Sequence, residues 1–200
     1  MDEQESYKEY RQRQDFYQSF GVKGDEAYKF IIDHAELYNG TVLEIGTGKG
    51  YFTLELARCG LTVMSIDILE ESQQKAEALL RYFSLSEDVS FQLEDATRLS
   101  FSPHFFDAVV SVYALHHMTH PEDCLKEMIR VVKPSGKIII SDFNENGFLL
   151  VDKIHKARGE EGHPVVGIRI NEARKFFDKQ GFLTRFYSHA INDLIVVEKK

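Results

Sequence analysis

The chain is expected to fold as an α/β domain: a mostly parallel sheet between two helical layers, closed by a C-terminal antiparallel pair. Three observations carry that expectation. From residue 42 to residue 143, short apolar runs alternate with segments of helical periodicity, which is how successive βαβ units read. The first run, VLEIGTGKGYFTLELA at residues 42–57, passes through a glycine-rich turn into an amphipathic helix. Near the end, TRFYSHA and DLIVVEKK flank Ile191-Asn192, a connection short enough only for antiparallel neighbours.

Residues 1–20 carry Tyr7, Tyr10, Phe16, Tyr17 and Phe20 among many charges, a partly helical spacing that fits either a packing face or a lid over residues 1–24. A helix is expected from Asp25, with Ala27, Phe30, Ile31, Ala35 and Tyr38 on one face and Asn39-Gly40 at its end. After the glycine turn, LTVMSI (61–66) reads as a second strand ending at Asp67. Glu70 to Phe83 then forms a helix that buries Ala76, Leu79, Leu80 and Phe83. A third strand, VSFQL, leads to Asp95-Ala96. A fourth, FDAVVSV, carries Ser111 and Val112 and is followed by His116-His117. Pro121 suits a first helical turn, and the helix it opens buries Leu125, Met128, Ile129 and Val132. Pro134-Ser135-Gly136 is expected to turn into the fifth strand. Residues 142–170 have a charged centre and little continuous periodicity, and read as a substrate-specific insertion. Asn171 is expected to cap a short helix carrying Ala173, Phe176 and Phe177 and closed by Gly181.

Composition narrows the function. Two hundred residues with 43% hydrophobic and 12% aromatic content suit a single domain, 1–200, with a sizeable core. A net charge of −8 disfavours nucleic-acid binding, which needs Lys and Arg to replace counterions. The charged start, MDEQESYKEYRQRQ, is unlike a signal peptide, and no apolar run reaches the length of a membrane span, so a cytoplasmic protein is expected. Cys59 and Cys124 form no C-x-x-C pair and read as buried thiols. Nothing in the residue spacing points to a metal site.

The glycine turn decides between nucleotide chemistries. Gly46, Gly48 and Gly50 let the backbone approach a ligand closely, but the dinucleotide fingerprint G-x-G-x-x-G would need glycine at position 51, which is Tyr. The P-loop pattern is also absent. The spacing G-x-G-x-G two residues after Glu44, followed in order by Asp67, Asp95-Ala96, FDAVVSVYALHHM and LKEMIRVVKPSGKIIISDF, resembles the class I S-adenosylmethionine-dependent methyltransferases of the type 11 kind over residues 42–143. The resemblance implies a Rossmann-like three-layer sandwich with a seven-stranded sheet, and S-adenosylmethionine as cofactor. It places the cofactor against Glu44, Gly46, Thr47, Gly48, Gly50, Asp67, Ile68, Asp95, Ala96, Ser111 and Val112. Ser135 departs from the family's Lys-Pro-Gly-Gly, and Ser111 stands where the magnesium-dependent catechol type has Asp.

A carboxylate at a strand end, as at Asp67, is placed to accept both ribose hydroxyls, although it could equally cap the following helix. Asp95 likewise contacts adenine or caps a local turn. His116 and His117 follow strand four, and adjacent side chains project differently, so one of them is the candidate general base. Missing Pro-Cys and [DN]-P-P-[YF] motifs move the acceptor toward a small molecule. The competing readings are a non-catalytic cofactor-binding relative and an NAD-dependent oxidoreductase.

Overall fold

The computed structural model describes residues 2–159, 161 and 163–198. Parts of the expected first segment (residue 1), insertion (160 and 162) and last strand (199–200) lie outside them. The elements run α1 (Glu3–Ser19), α2 (Gly24–Ala35), β1 (Thr41–Ile45), α3 (Tyr51–Arg58), β2 (Thr62–Asp67), α4 (Glu70–Tyr82), β3 (Val89–Leu93), β4 (Phe106–Val112), a 3-10 turn (Leu115–His117), α5 (Pro121–Val131), β5 (Val132–Phe143), α6 (Glu145–Ala157), α7 (Ile170–Lys179), β6 (Leu183–Ser188) and β7 (Asn192–Glu198). They form one seven-stranded sheet in the order β3-β2-β1-β4-β5-β7-β6. Every pairing is parallel except those of β7, which runs antiparallel to β5 and β6.

The two-residue period of the strands builds the layers. Val42, Val63, Val110 and Ile139 point into one apolar cluster with residues of α2, α3 and α4, and Tyr10 of α1 joins it. Their neighbours Leu43, Ile66, Val109 and Ile138 point into a second cluster with α5 and α7. A sheet buried on both faces needs near-continuous apolar strands, which is how β1, β4 and β5 read. The chain steps outward from β1 to β3 and returns beside β1 as β4. That reversal leaves a crevice at the carboxyl ends of β1 and β4, where open α/β sheets bind ligands.

Several local expectations are corrected. α2 stops at Ala35, short of Asn39-Gly40. Glu36 adopts a left-handed conformation (φ 54°) and the Leu37 N–H reaches back to the Ile32 carbonyl at 3.2 Å, a closed C-terminal cap that leaves Tyr38 58% exposed. Pro134-Ser135-Gly136 lies inside β5 as an irregularity: Phe106 pairs with Val132, but Ala108 pairs with Lys137, so the extra residues bulge out of the ladder. Val132 thus starts a strand and does not belong to the buried stripe of α5, which Cys124 and Val131 complete. α7 is capped at Arg169, whose N–H is accepted by the Glu172 carboxylate at 3.0 Å, and Asn171 sits within the first turn. The stretch read as irregular holds a whole helix, α6. Asn144 caps it by accepting the Gly147 N–H at 3.0 Å, and Gly147, Val151 and Ile154 form its buried stripe.

Candidate active site

The turn after β1 is shaped by its glycines and anchored to β2. Gly46 and Gly48 have φ of 92° and 50°, a region that costs a residue with a Cβ about 1–2 kcal/mol. The N–H groups of Gly46 and Thr47 both donate to the Ile66 carbonyl, at 2.9 and 3.0 Å. A Cβ at Gly46 would meet that of Ala114 at 2.6 Å, whereas one at Gly48 would meet nothing within 4 Å. Gly48 therefore presents bare backbone to open space. Gly50 serves packing, since its Cβ would lie 2.8 Å from the Ala76 Cα of α4.

Beneath the turn, Glu44 is buried (2% exposed). Its Oε2 accepts hydrogen bonds from Thr53 Oγ1 and Ser65 Oγ, each 2.6 Å, and Ser65 Oγ lies 2.7 Å from Thr47 Oγ1. With Ser65 donating to Glu44, Thr47 donates to Ser65, and this chain ties the turn to the core. Burial outweighs the two hydrogen bonds and pushes the Glu44 carboxyl up from 4.5 to about 7. Between those pH values the folded protein holds a proton that the unfolded chain has released. The stabilisation tied to it is complete below about 4.5 and is lost as pH rises toward 7, roughly 3 kcal/mol over the interval. Glu44→Gln should remove that slope from the thermal stability measured between pH 4.5 and 7.5; equal slopes in both proteins would contradict the assignment.

Asp67 ends β2 and faces the turn. Its Oδ2 accepts the Gly48 N–H at 2.8 Å and its Oδ1 the Leu69 N–H at 2.9 Å. The carboxylate thus fixes the glycine turn and the entry to α4 while still lining a cavity of about 540 Å³ at the strand tips. That volume lies within the usual range for small-molecule and cofactor sites. Ile68 lines the same cavity and is 72% exposed, an apolar side chain suited to one face of a flat ring. Asp95 and Ala96 line the same cavity. Asp95 Oδ1 accepts both the N–H and hydroxyl of Thr97, at 2.8 and 2.7 Å, which holds its carboxyl below the usual range and makes it a turn cap as well as a wall.

A second cavity of about 220 Å³ adjoins the first, and Arg13, Tyr28, Tyr51, Tyr113 and His117 line both. Its outer wall comes from α1, through Gln14 and Tyr17, and from the 142–170 segment, through Val151, His155 and His163. Tyr113 stands at the junction with φ 53° and stacks on Phe143 at 4.3 Å. Its hydroxyl is buried without a hydrogen-bond partner, and burial drives its ionisation well above the ordinary range. A left-handed backbone on an aromatic residue is costly and concentrates at functional positions. Burial also raises Tyr51 to about 12, so both phenols remain neutral donors. The Arg13 guanidinium lies over the Tyr17 and Tyr51 rings at 4.1 and 5.2 Å.

Of the cofactor residues expected from sequence, Glu44, Gly46, Thr47, Gly48, Asp67, Ile68, Asp95, Ala96 and Val112 line the larger cavity, whereas Gly50 and Ser111 do not. Ser111 is buried in the sheet with its hydroxyl unpartnered, because the strand's alternation points it away from the crevice while Val112 faces in. The histidine pair divides. His116 is fully buried, with Nδ1 2.6 Å from Asp142 Oδ1, and touches neither cavity; His117 lines both. Burial, with His116 beside it, lowers the His117 pKa. Arg13 and Tyr28 were not legible as site residues, since each arrives from a distant element; His155 and His163, whose charged surroundings in the sequence suggest solvent exposure, instead line the second cavity. Cys124 also lines the larger cavity, and burial raises its thiol to about 12, which disfavours the thiolate.

Comparison with known proteins agrees with this geometry. Residues 43–140 match the methyltransferase domain family. The chain is 32% identical over 143 residues to the ubiquinone/menaquinone biosynthesis C-methyltransferase UbiE of Pseudomonas fluorescens (strain Pf0-1), covering 70% of this chain and 56% of that protein. It thus spans little more than half the length of that relative. In fold it is similar to a SAM-dependent methyltransferase from Aquifex aeolicus (TM-score 0.69, 18% identity, 85% of this chain and 88% of that one). It is also similar to the [4+2]-cyclase SpnF (TM-score 0.70, 18% identity, 88% and 82%). With the sheet order, the glycine turn and the strand-tip carboxylates, these matches identify the chain as a member of the class I S-adenosylmethionine-dependent methyltransferase family.

Proposed function

We propose that this protein transfers a methyl group from S-adenosylmethionine to a small-molecule acceptor held in the 220 Å³ cavity. The observation that carries the reading is the junction: the strand-tip cavity opens past Tyr113 and His117 into a second chamber roofed by α1 and the 142–170 segment. When bound, the cofactor supplies a sulfonium methyl that a nucleophile displaces in line. The residues of this chain hold the partners. Asp67 takes the ribose, Gly48 gives the backbone room, Ile68 and Ala96 flank the adenine, and Asp95 lies at its edge.

On the acceptor side, the rings of Tyr17, Tyr28, Tyr51, Tyr113 and Phe143 make an apolar slot for a small, flat molecule, with Arg13 placed for an acidic substituent. Enclosure and alignment there are the main source of rate, on the order of 7–11 kcal/mol at best. The orphan Tyr113 hydroxyl is a donor to the acceptor or the cofactor. His117 is the imidazole that sets the acceptor's protonation, and His116 positions it from behind. The activity for which the UbiE relatives are named, C-methylation in ubiquinone/menaquinone biosynthesis, makes phenolic acceptors the first to test. SpnF, a [4+2]-cyclase of similar fold, makes the assay necessary.

Incubation with cofactor labelled in the methyl group and a panel of phenols, thiols and amines should give labelled product with at least one class. His117→Gln should lower kcat by about 10² while leaving cofactor affinity unchanged. Tight cofactor binding with no transfer to any acceptor would support the non-catalytic reading instead.

A further inference from the structure

The methyl-transfer reading leaves one cluster without a full account. His116, His117 and His163 each bring a ring nitrogen within 4.8 Å of the other two, although 46 residues (163 minus 117) separate the last two. His116 Nε2 and His163 Nε2 are 2.7 Å apart. Behind His116, Asp142 accepts the ring Nδ1–H at 2.6 Å, together with the backbone N–H groups of His116 at 3.2 Å and Phe143 at 2.8 Å. A carboxylate at Nδ1 keeps the proton there and leaves the Nε2 lone pair directed at the cluster.

Two chemistries gather imidazoles in this way, a hydrogen-bonded chain and a shared cation. A chain explains the His116–His163 contact and its continuation from His163 Nδ1 to His155 Nε2 at 3.3 Å. It does not explain His117, whose ring lies 4.0 Å from that of His116 and 5.0 Å from that of His163, and which no hydrogen bond among the described residues links to the chain. A neutral imidazole presents one ring-nitrogen lone pair. Three imidazoles backed by a carboxylate form the donor set of an open zinc-type centre, with a fourth position for water or substrate.

We propose that His116, His117 and His163 bind a divalent transition-metal ion, with Zn²⁺ the best match, whose open position faces the acceptor cavity. Ligand nitrogens about 2.0–2.1 Å from a tetrahedral ion sit about 3.3 Å from one another, so binding parts the His116–His163 contact by about 0.6 Å, replaces its hydrogen bond, and draws in the His117 nitrogen from within the 4.8 Å that spans the cluster. Resting on the methyl-transfer reading, and with the His117 lone pair on the ion, the ion takes over from that imidazole the task of holding the acceptor's oxygen or sulfur as its anion. The proton leaves to solvent, the anion forms the new bond to the methyl, and the methyl–sulfonium bonding pair departs with the thioether.

Metal binding can be measured without turnover. Protein stripped with chelator is titrated calorimetrically with Zn²⁺ and separately with Co²⁺, whose tetrahedral complexes absorb strongly in the visible. One ion per chain and a tetrahedral Co²⁺ spectrum are expected. His163→Ala should weaken Zn²⁺ binding by about 10² or more, with His163→Gln as a second variant should the first fail to fold, while His104→Ala should change nothing. S-adenosylmethionine affinity, measured on the same samples, should be unaffected by His163→Ala. Absence of Zn²⁺ binding by the parent protein, or equal binding by a folded His163 variant, would overturn the metal site and leave a hydrogen-bonded histidine chain. Intact metal binding without cofactor binding would instead overturn the methyl-transfer reading alone.

Discussion

Asp67→Ala is expected to weaken S-adenosylmethionine binding by about 10²–10⁴. Two charge-assisted hydrogen bonds to the ribose hydroxyls are worth roughly 1.5–3 kcal/mol each in a shielded site, and each 1.4 kcal/mol is about tenfold. The loss is compounded because the same carboxylate holds the Gly48 and Leu69 N–H groups at 2.8 and 2.9 Å, so the turn loosens as the ligand loses its anchor. Asp67→Asn keeps an acceptor without the charge and should fall between. Calorimetry measures the affinity and a thermal melt separates it from stability. An unchanged dissociation constant in a folded Asp67→Ala protein would contradict the ribose assignment.

Gly46→Ala should destabilise the fold well beyond Gly48→Ala. It combines a left-handed backbone (φ 92°) with a Cβ 2.6 Å from that of Ala114. Backbone strain of about 1–2 kcal/mol adds to overpacking of about 1–3 kcal/mol, which for a chain of this size lowers Tm by about 5–15 °C. Gly48→Ala carries the backbone cost alone, since nothing lies within 4 Å of its added Cβ; its larger effect should appear in cofactor affinity. Equal Tm values for the two variants would mean that the close approach to Ala114 is not what requires glycine at position 46.

The features legible in the sequence were those set by local pattern. The apolar runs, the helix beginning at Pro121 and the Ile191-Asn192 connection each carry their own signal, and the seven-stranded sheet was what the resemblance to the methyltransferase family implied. Features set by packing were less legible. α6 escaped notice because its apolar residues bunch at 148–151 and do not recur at helical spacing, although Asn144 as cap and the spacing of 147, 151 and 154 were present in the sequence. Gly50 was read as facing a ligand, yet it meets α4, since sequence spacing shows that glycine is needed without showing what approaches it. Asp67 and Asp95 had each been weighed as either ligand-facing or turn-capping; both cap turns and both line the cavity. The sequence pointed to residues 1–24 and 142–170 as covering segments and to Tyr113 as either a packed ring or a pocket wall, but not to the way Arg13, Tyr28 and His163 converge with it, which is set by tertiary structure. No spacing rule foretold the cluster of His163 with His116 and His117.

The account rests on the strand-tip cavity being an S-adenosylmethionine site, and titration calorimetry of the intact protein with S-adenosylmethionine, its demethylated product and NAD tests this most directly. The predicted result is one site per chain for the first two ligands and no measurable binding of NAD, because Tyr51 stands where a dinucleotide turn requires its third glycine. Binding of NAD in preference to S-adenosylmethionine would contradict the account.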